Sequence, residues 1–113
     1  MIALFENCSF TSEEKGAQVK PLEITSSCER AFHLVKKHIE DKGYYGLKTN
    51  NAYYEIYYWY LGFEVTISFS QRIRGNKTVM NMMVYGKNKR GRTRKMLKHL
   101  MEEYGNLLKT YIN

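Results

Sequence analysis

The sequence predicts an α+β fold, in which two helices pack on one face of an antiparallel sheet of three to five strands. Two amphipathic segments, residues 26–42 and 92–111, carry apolar residues at helical spacing. Between them, residues 44–86 are rich in Tyr, Ile, Val and Phe and alternate between apolar and polar positions, as strands do. The expected order of elements is (β)-α-β-β-β-(β)-α. A sheet of three strands lacks both strands in parentheses, and a sheet of five strands includes both.

A single domain accounts for the whole chain, residues 1–113. Its length, with 43% hydrophobic and 26% charged residues, is ordinary for a soluble globular domain that has its own core. Residues 2–10 are apolar enough for a short strand, and residues 11–20 are polar and are expected to form a loop. We therefore divide the domain into an N-terminal strand and loop, residues 1–23, and an α-β-α core, residues 24–113.

The first helix has a recognisable start and end. Ser26 is a good N-cap residue, and Glu29, three positions later, would complete a capping box. Lys42 and Gly43 supply a basic last turn and a residue that tolerates the left-handed backbone of a C-cap. One apolar stripe at three- and four-residue spacing is expected to face the core: Cys28, Ala31, Phe32, Val35 and Ile39.

Three or four antiparallel strands are expected in the central segment. Residues 44–49 and 52–60 form the first two, joined by a turn at Asn50 and Asn51, residues that tolerate positive φ. Gly62 marks a break or a bulge before the third strand.

The third and fourth strands are the clearest, with a turn predicted at residues 74–77 and the fourth strand at residues 78–85. Alternation predicts that one face of these two strands is buried, comprising Phe63, Val65, Ile67, Phe69, Met80, Met82 and Val84.

The second helix is predicted from residue 92–94 to about residue 111. Its apolar residues follow a 3.6-residue period: Met96, Leu97, Leu100, Met101, Tyr104, Leu107, Leu108 and Tyr111. Gly105 interrupts the helix at a cost of about 1 kcal/mol relative to Ala, which predicts a close contact or a bend there.

Charge is distributed unevenly along the chain. Residues 65–101 contain ten Lys and Arg and no Asp or Glu, whereas the rest has eight basic and eleven acidic residues, for a formal net charge of +7. Such a separation is not needed to specify a fold, and it indicates an anionic partner. The residues expected to bind that partner are Lys87, Lys89, Arg90, Arg92, Arg94, Lys95 and Lys98, with Arg72, Arg74 and Lys77 extending the patch along a strand turn.

The position of the densest cations favours phosphate as the bound anion. Arg92, Arg94, Lys95 and Lys98 lie in the first turns of the second helix, where each cation opposes the helix dipole at a cost of a few tenths to about 1 kcal/mol. Free N–H groups and cations at a helix start together form a suitable phosphate site. The alternative is a solvated helix face beside a flexible basic loop, and the sequence leaves both open.

Aromatic residues cluster in the predicted second strand. Since the helices cover only one face, alternation leaves one set of side chains for base stacking or for an interface with a second copy. The ordinary alternative is that good strand formers cover a sheet without any ligand. The set facing away from Ile56 and Tyr58 comprises Tyr53, Tyr57 and Trp59.

The last helix opens with the segment Gly91-Arg92-Thr93-Arg94-Lys95-Met96-Leu97-Lys98, directly after a strand. Here the chain resembles double-stranded RNA-binding domains, which also have a helix, three antiparallel strands and a helix. The resemblance implies phosphate contacts for Arg94, Lys95 and Lys98. It covers only the strand-to-helix region of the C-terminal half, because the chain lacks the Gly-Pro-x-His element that reads the minor groove in that family.

No pattern in the sequence indicates catalysis, a metal or a cofactor. The three histidines form no metal-binding motif, and no nucleophile, P-loop or dinucleotide signature occurs. Cys8 and Cys28 are most simply reduced thiols of an intracellular protein, although a single bridge between them stays open. No apolar stretch approaches the roughly 20 residues that span a bilayer, and the N-terminus lacks signal-peptide features. We therefore expect a cytoplasmic protein that is not an enzyme.

The sequence leaves open which partner the protein binds. A nucleic-acid-binding module that contacts the phosphate backbone is the first hypothesis. A protein-interaction module or inhibitor that docks its basic edge on an acidic protein is the second. A homodimer through the Tyr-rich sheet face is compatible with either.

Overall fold

Two helices cover one face of a six-stranded antiparallel sheet in the computed structural model, which describes residues 7–72, 76–89 and 91–112. The predicted α+β class is confirmed. The elements are β1 (Cys8–Phe10), β2 (Leu22–Ile24), α1 (Cys28–Lys42), β3 (Tyr45–Asn50), β4 (Glu55–Tyr60), β5 (Phe63–Gln71), β6 (Thr78–Tyr85) and α2 (Thr93–Ile112).

Strands β3 to β6 form a meander, and β6 also pairs on its other side with the N-terminal part of the chain. There β1 pairs with the end of β6, so that Phe10 faces Met83, and β2 pairs with its beginning, so that Leu22 faces Met80. The Thr11 N–H donates to the carbonyl of Met82 at 3.0 Å and continues the pairing by one residue. Thus β1 and β2 act as one edge strand, interrupted by a loop at residues 12–21.

The core lies between this sheet and the helices, and it is built from the faces that the periodicity predicts. The predicted stripe of α1 is buried from Cys28 to Ile39, and so are Leu97, Leu100, Tyr104 and Leu108 of α2. The residues of β5 and β6 that were expected inside are all buried: Phe63, Val65, Ile67, Phe69, Met80, Met82 and Val84. Tyr111, the last residue of the predicted α2 stripe, is exposed.

The N-cap of α1 differs from the prediction by one residue. Ser27, not Ser26, caps the helix, and its hydroxyl accepts the Arg30 N–H at 3.2 Å. Ser26 is buried, and its carbonyl accepts the Thr78 hydroxyl at 2.7 Å. Ser26 therefore attaches the chain before α1 to the start of β6. Because Ser27 is the N-cap, the capping box predicted between Ser26 and Glu29 does not form. The predicted C-cap at Gly43 is confirmed, with φ of 68°.

Two turns differ from their predicted form. Positive φ in the β3–β4 turn occurs at Tyr54 (53°), while Asn50 supports the turn through its side chain, which accepts the Ala52 N–H at 3.1 Å. Between β4 and β5, Leu61 and Gly62 both have positive φ, and Tyr60 pairs directly with Phe63. That arrangement is a two-residue hairpin turn rather than a bulge. Two of the four residues of the turn predicted at residues 74–77, Arg74 and Gly75, lie outside the described residues.

A buried pair of phenols joins the sheet to α2. The hydroxyls of Tyr58 in β4 and Tyr104 in α2 are hydrogen-bonded to each other, and both side chains are almost fully buried. Burial raises the pKa of both phenols far above the ordinary value, so both remain neutral. Each hydroxyl therefore satisfies the other in a region without solvent.

Removal of either hydroxyl should destabilise the protein more than removal of both. Tyr58→Phe or Tyr104→Phe alone leaves one buried hydroxyl without its partner, which we expect to cost about 1–3 kcal/mol of unfolding free energy. The double variant leaves no unsatisfied group and should cost no more than either single variant. Urea denaturation of the four proteins measures this coupling, and additive losses would show that the two hydroxyls are independent.

Candidate functional site

Most of the cations predicted to bind an anion lie together at one end of β6. We call the described members of this group the basic edge. They are Lys87, Lys89, Arg92, Arg94, Lys95 and Lys98. They belong to the loop after β6 and to the first two turns of α2. Arg90 and Arg74, which were predicted with them, lie outside the described residues.

The loop of the basic edge has a defined backbone. The Lys89 N–H donates to the carbonyl of Gly86 at 3.1 Å, and the Arg92 N–H donates to the carbonyl of Lys89 at 3.0 Å. Positive φ at Asn88 (61°) and Gly91 (74°) closes these two successive turns. The flexible basic loop that the sequence left open is therefore, in its described part, a hydrogen-bonded one.

Lys89 attaches this loop to the β4–β5 turn. Its ammonium lies 5.6 Å from the centre of the Phe63 ring, a distance at which a cation is attracted by the ring. Its stem lies against Gly86, where an added Cβ would be only 2.7 Å from the Lys89 Cβ. A glycine at position 86 thus leaves room for the lysine, which is half-buried.

The start of α2 is positioned by the N-terminal edge strand. Thr93 is buried, and its hydroxyl is 2.8 Å from the hydroxyl of Ser9 in β1. Thr93 is the first residue of α2, so this bond joins the start of the helix to β1. The first turn of α2 contains no acidic residue and two exposed cations, Arg94 and Lys95. Positive side chains and the positive end of the helix dipole therefore add at this point.

The described part of the chain supplies no carboxylate to the basic edge. Among the residues that the structure describes, none of its cations lies within 4 Å of a carboxylate. Arg94 donates to the neutral side-chain oxygen of Gln18. The positive field of these side chains is therefore available to a partner.

Arg72 and Lys77 do not belong to the basic edge, which corrects the prediction that they extend it. They lie at the β5–β6 hairpin, at the opposite end of the eight-residue strand β6 and thus about 25 Å away. Lys77 donates to Glu23 at 3.0 Å, and Arg72 donates to Glu23 at 3.0 Å and to Glu13. These ion pairs fasten the interrupted edge strand to the hairpin. The bonds from Lys77 and Arg72 hold the pKa of Glu23 below its ordinary value.

The predicted aromatic residues are divided between two places. Tyr57 and Trp59 lie on the sheet face away from the helices, which we call the open face, as alternation predicts. Tyr53 lies in the β3–β4 turn and does not share that face with them. Alternation also puts Met83 and Tyr85 of β6 on the open face, but sequence reasoning considered only the buried face of that strand.

Cys8 and Cys28 are free and too far apart to form a bridge. Cys8 faces Tyr85 at one end of β6, whereas the Cys28 sulfur lies 3.6 Å from the Thr78 hydroxyl at the other end. A disulfide needs Cα atoms within about 7 Å, and the length of β6 separates the two by about 20 Å.

The described residues include no group of three or more His, Cys, Asp and Glu side chains that could hold a metal ion. Within the same part of the chain, no helix has the length and hydropathy required to cross a membrane.

Comparison with protein-family models, with curated proteins and with solved structures found no match to this chain. The resemblance to double-stranded RNA-binding domains therefore stays a prediction. The structure has four strands between its two helices, one more than that family has.

The ion pairs at the hairpin make a pH-dependent prediction. Because the folded protein lowers the pKa of Glu23, its ion pairs stabilise the fold above the ordinary Glu pKa of about 4.3, and this contribution is lost as the pH falls through the lower folded value. Lys77→Met should raise the pKa of Glu23, and Lys109→Met, a matched change at the far end of α2, should not. Carboxyl-detected NMR titration measures the pKa directly, and equal values in all three proteins would refute the pairing.

Proposed function

We propose that this protein binds nucleic acid through the phosphate backbone, with the basic edge as its contact surface. The observation that carries the proposal is the contrast between the two ends of β6. At the hairpin, Arg72 and Lys77 are neutralised by carboxylates of the same chain. At the other end, the described cations lie on a hydrogen-bonded loop and on the helix start, and no carboxylate of residues 7–72, 76–89 and 91–112 pairs with them.

The arrangement of the cations on α2 supports contact with several phosphates along one backbone. Arg94 and Lys98 are one helical turn apart, so they project from the same side of α2 with a rise of about 6 Å between them. Lys95 is next to both on the helix surface, and all three are exposed. These are also the positions for which the family resemblance implies phosphate contacts.

Chemistry at the helix start further favours phosphate over a neutral ligand. The backbone N–H groups of the first turn of α2 have no partner within the helix, and the helix dipole favours negative charge there. Arg donates in a bidentate manner to phosphate oxygens, and Lys acts as a compact point charge. Contacts of this kind position a backbone and carry little base specificity.

The proposed role is non-enzymatic and cytoplasmic. Two cysteines are too few for a disulfide framework, which agrees with a protein of a reducing compartment. The second hypothesis, an acidic protein as partner of the same edge, rests on the same charges, and the experiment below distinguishes it.

Titration of duplex RNA, duplex DNA and single strands at two salt concentrations tests the proposal. If about five phosphates are neutralised, the affinity should fall several hundredfold between 50 and 200 mM salt. Lys95→Gln/Lys98→Gln should reduce the salt slope by about 2 and weaken binding at 50 mM salt at least tenfold.

Lys42→Gln/Lys109→Gln is the matched control for this titration. It removes the same charge from exposed lysines in the last turns of the two helices, and Lys109 lies about 21 Å along α2 from Lys95. Equal weakening in both double variants would show that only net charge matters. No binding of any nucleic acid at 50 mM salt would overturn the proposal and leave an acidic protein as the partner of the basic edge.

A further inference from the structure

The open face of the sheet carries a second surface, which the basic edge does not use. Cross-strand pairing aligns its aromatic and apolar side chains in two adjacent rows that run across β3, β4, β5, β6 and β1, a width of about 19 Å. We call these side chains the aromatic band. They belong to Tyr45, Tyr57, Trp59, Met83, Tyr85 and Phe10.

The aromatic band exposes apolar side chains on both sides of β5, which contributes Glu64 and Thr66 between them. Tyr45 is 80% exposed, Phe10 55%, Trp59 43% and Met83 41%. At roughly 200 Å² for a whole aromatic side chain, the three aromatics alone expose about 350 Å². Patches of about 300–600 Å² are the largest on typical monomers and are often functional.

The aromatic band is also held in place before any partner binds. The Trp59 indole packs against Gly46, where an added Cβ would be 2.8 Å from its Cδ1 atom. The Tyr57 hydroxyl donates to Glu55 at 2.8 Å. Rigid aromatic side chains of this kind bind a partner with little loss of conformational entropy.

A carboxylate interrupts the aromatic band at its centre. Glu64 of β5 faces Trp59 on one side and Tyr85 on the other, in directly opposed cross-strand pairs. It is exposed, and no cation of the described chain lies within 4 Å of it. The cation of the two rows is Lys48, which lies opposite Tyr57 in the edge strand β3, two strands away from Glu64. Near Trp59 and Tyr85, this face of a protein with a net charge of +7 thus presents a negative charge.

The charge of Glu64 argues against two of the three partners that could cover the open face, a nucleic-acid backbone and a second copy of this chain. The third is a segment of another protein. A phosphate backbone on the open face would be repelled by Glu64. A second copy could pack face to face about a two-fold axis in two ways that superpose the aromatic bands. An axis along β5 brings Glu64 opposite the partner's Glu64, and an axis along the band, between its two rows, brings Glu64 opposite the partner's Thr66. In both arrangements a carboxylate is buried without a cation, which is costly.

We propose that the open face binds a cationic segment of a partner protein. A guanidinium or ammonium group of that segment lies over Trp59 and Tyr85 and pairs with Glu64. Arginine fits best, because its planar group stacks on aromatic rings and donates two hydrogen bonds to one carboxylate. The neighbouring residues of the segment cover Met83 and Phe10.

Trp59 is the only tryptophan of the chain, so its fluorescence reports on this face alone. A short, blocked peptide of alternating Arg and Ala should change the Trp59 emission in a saturable manner, although the +7 net charge of the protein opposes its approach. Glu64→Gln should weaken this binding about tenfold, the loss expected for one charged hydrogen-bonded pair. Glu102→Gln, which removes an exposed carboxylate from α2, should leave it unchanged.

The same titration can overturn the proposal. Equal affinity of wild type and Glu64→Gln for the peptide, or an equal response to a Glu-Ala peptide, would contradict it. So would a dimer in sedimentation that Trp59→Ala dissociates, since the second copy would then occupy the face. Lys95→Gln/Lys98→Gln should bind the Arg-Ala peptide at least as tightly as wild type, so failure of this proposal is distinguishable from failure of nucleic-acid binding.

Discussion

The rest of the structure depends on the pairing of strand β6 on both of its edges. On one side β6 continues the meander, and on the other it binds β1 and β2, which come from the N-terminal end of the chain. Both helices also pack on it, and the Ser9–Thr93 bond joins the first residue of α2 to β1 beside it. The direction of β6 therefore determines where the loop after it and the start of α2 are placed.

This arrangement separates two kinds of cation that look alike in sequence. Arg72 and Lys77, at the beginning of β6, bind Glu13 and Glu23 and stabilise the interrupted edge strand. The cations after the end of β6 have no such partner in the described chain and oppose the helix dipole where they lie. This energetic cost to the helix, which no ion pair among the described residues offsets, supports the proposal that these residues bind a partner.

The elements themselves could be predicted, because they depend on local patterns. Periodicity identified both helices, and alternation identified the buried residues of β5 and β6. The errors came from contacts over long sequence distance. Ser26 bonds to Thr78, which moves the N-cap to Ser27, and Arg72 meets Glu23 across 49 positions of sequence. Two residues of the open face, Tyr57 and Trp59, were predicted from alternation along one strand. Phe10 was missed because it joins them only through the pairing of β1 with β6.

We propose that the end of β6 and the start of α2 form the nucleic-acid surface. Mapping of backbone amide shifts by NMR, during titration of a duplex at low salt, tests it most directly. We expect the largest shifts on the described residues from Gly86 to Lys98 and only small shifts on Arg72 and Lys77. Shifts centred on the β5–β6 hairpin, or on Trp59 and its neighbours on the open face, would contradict it.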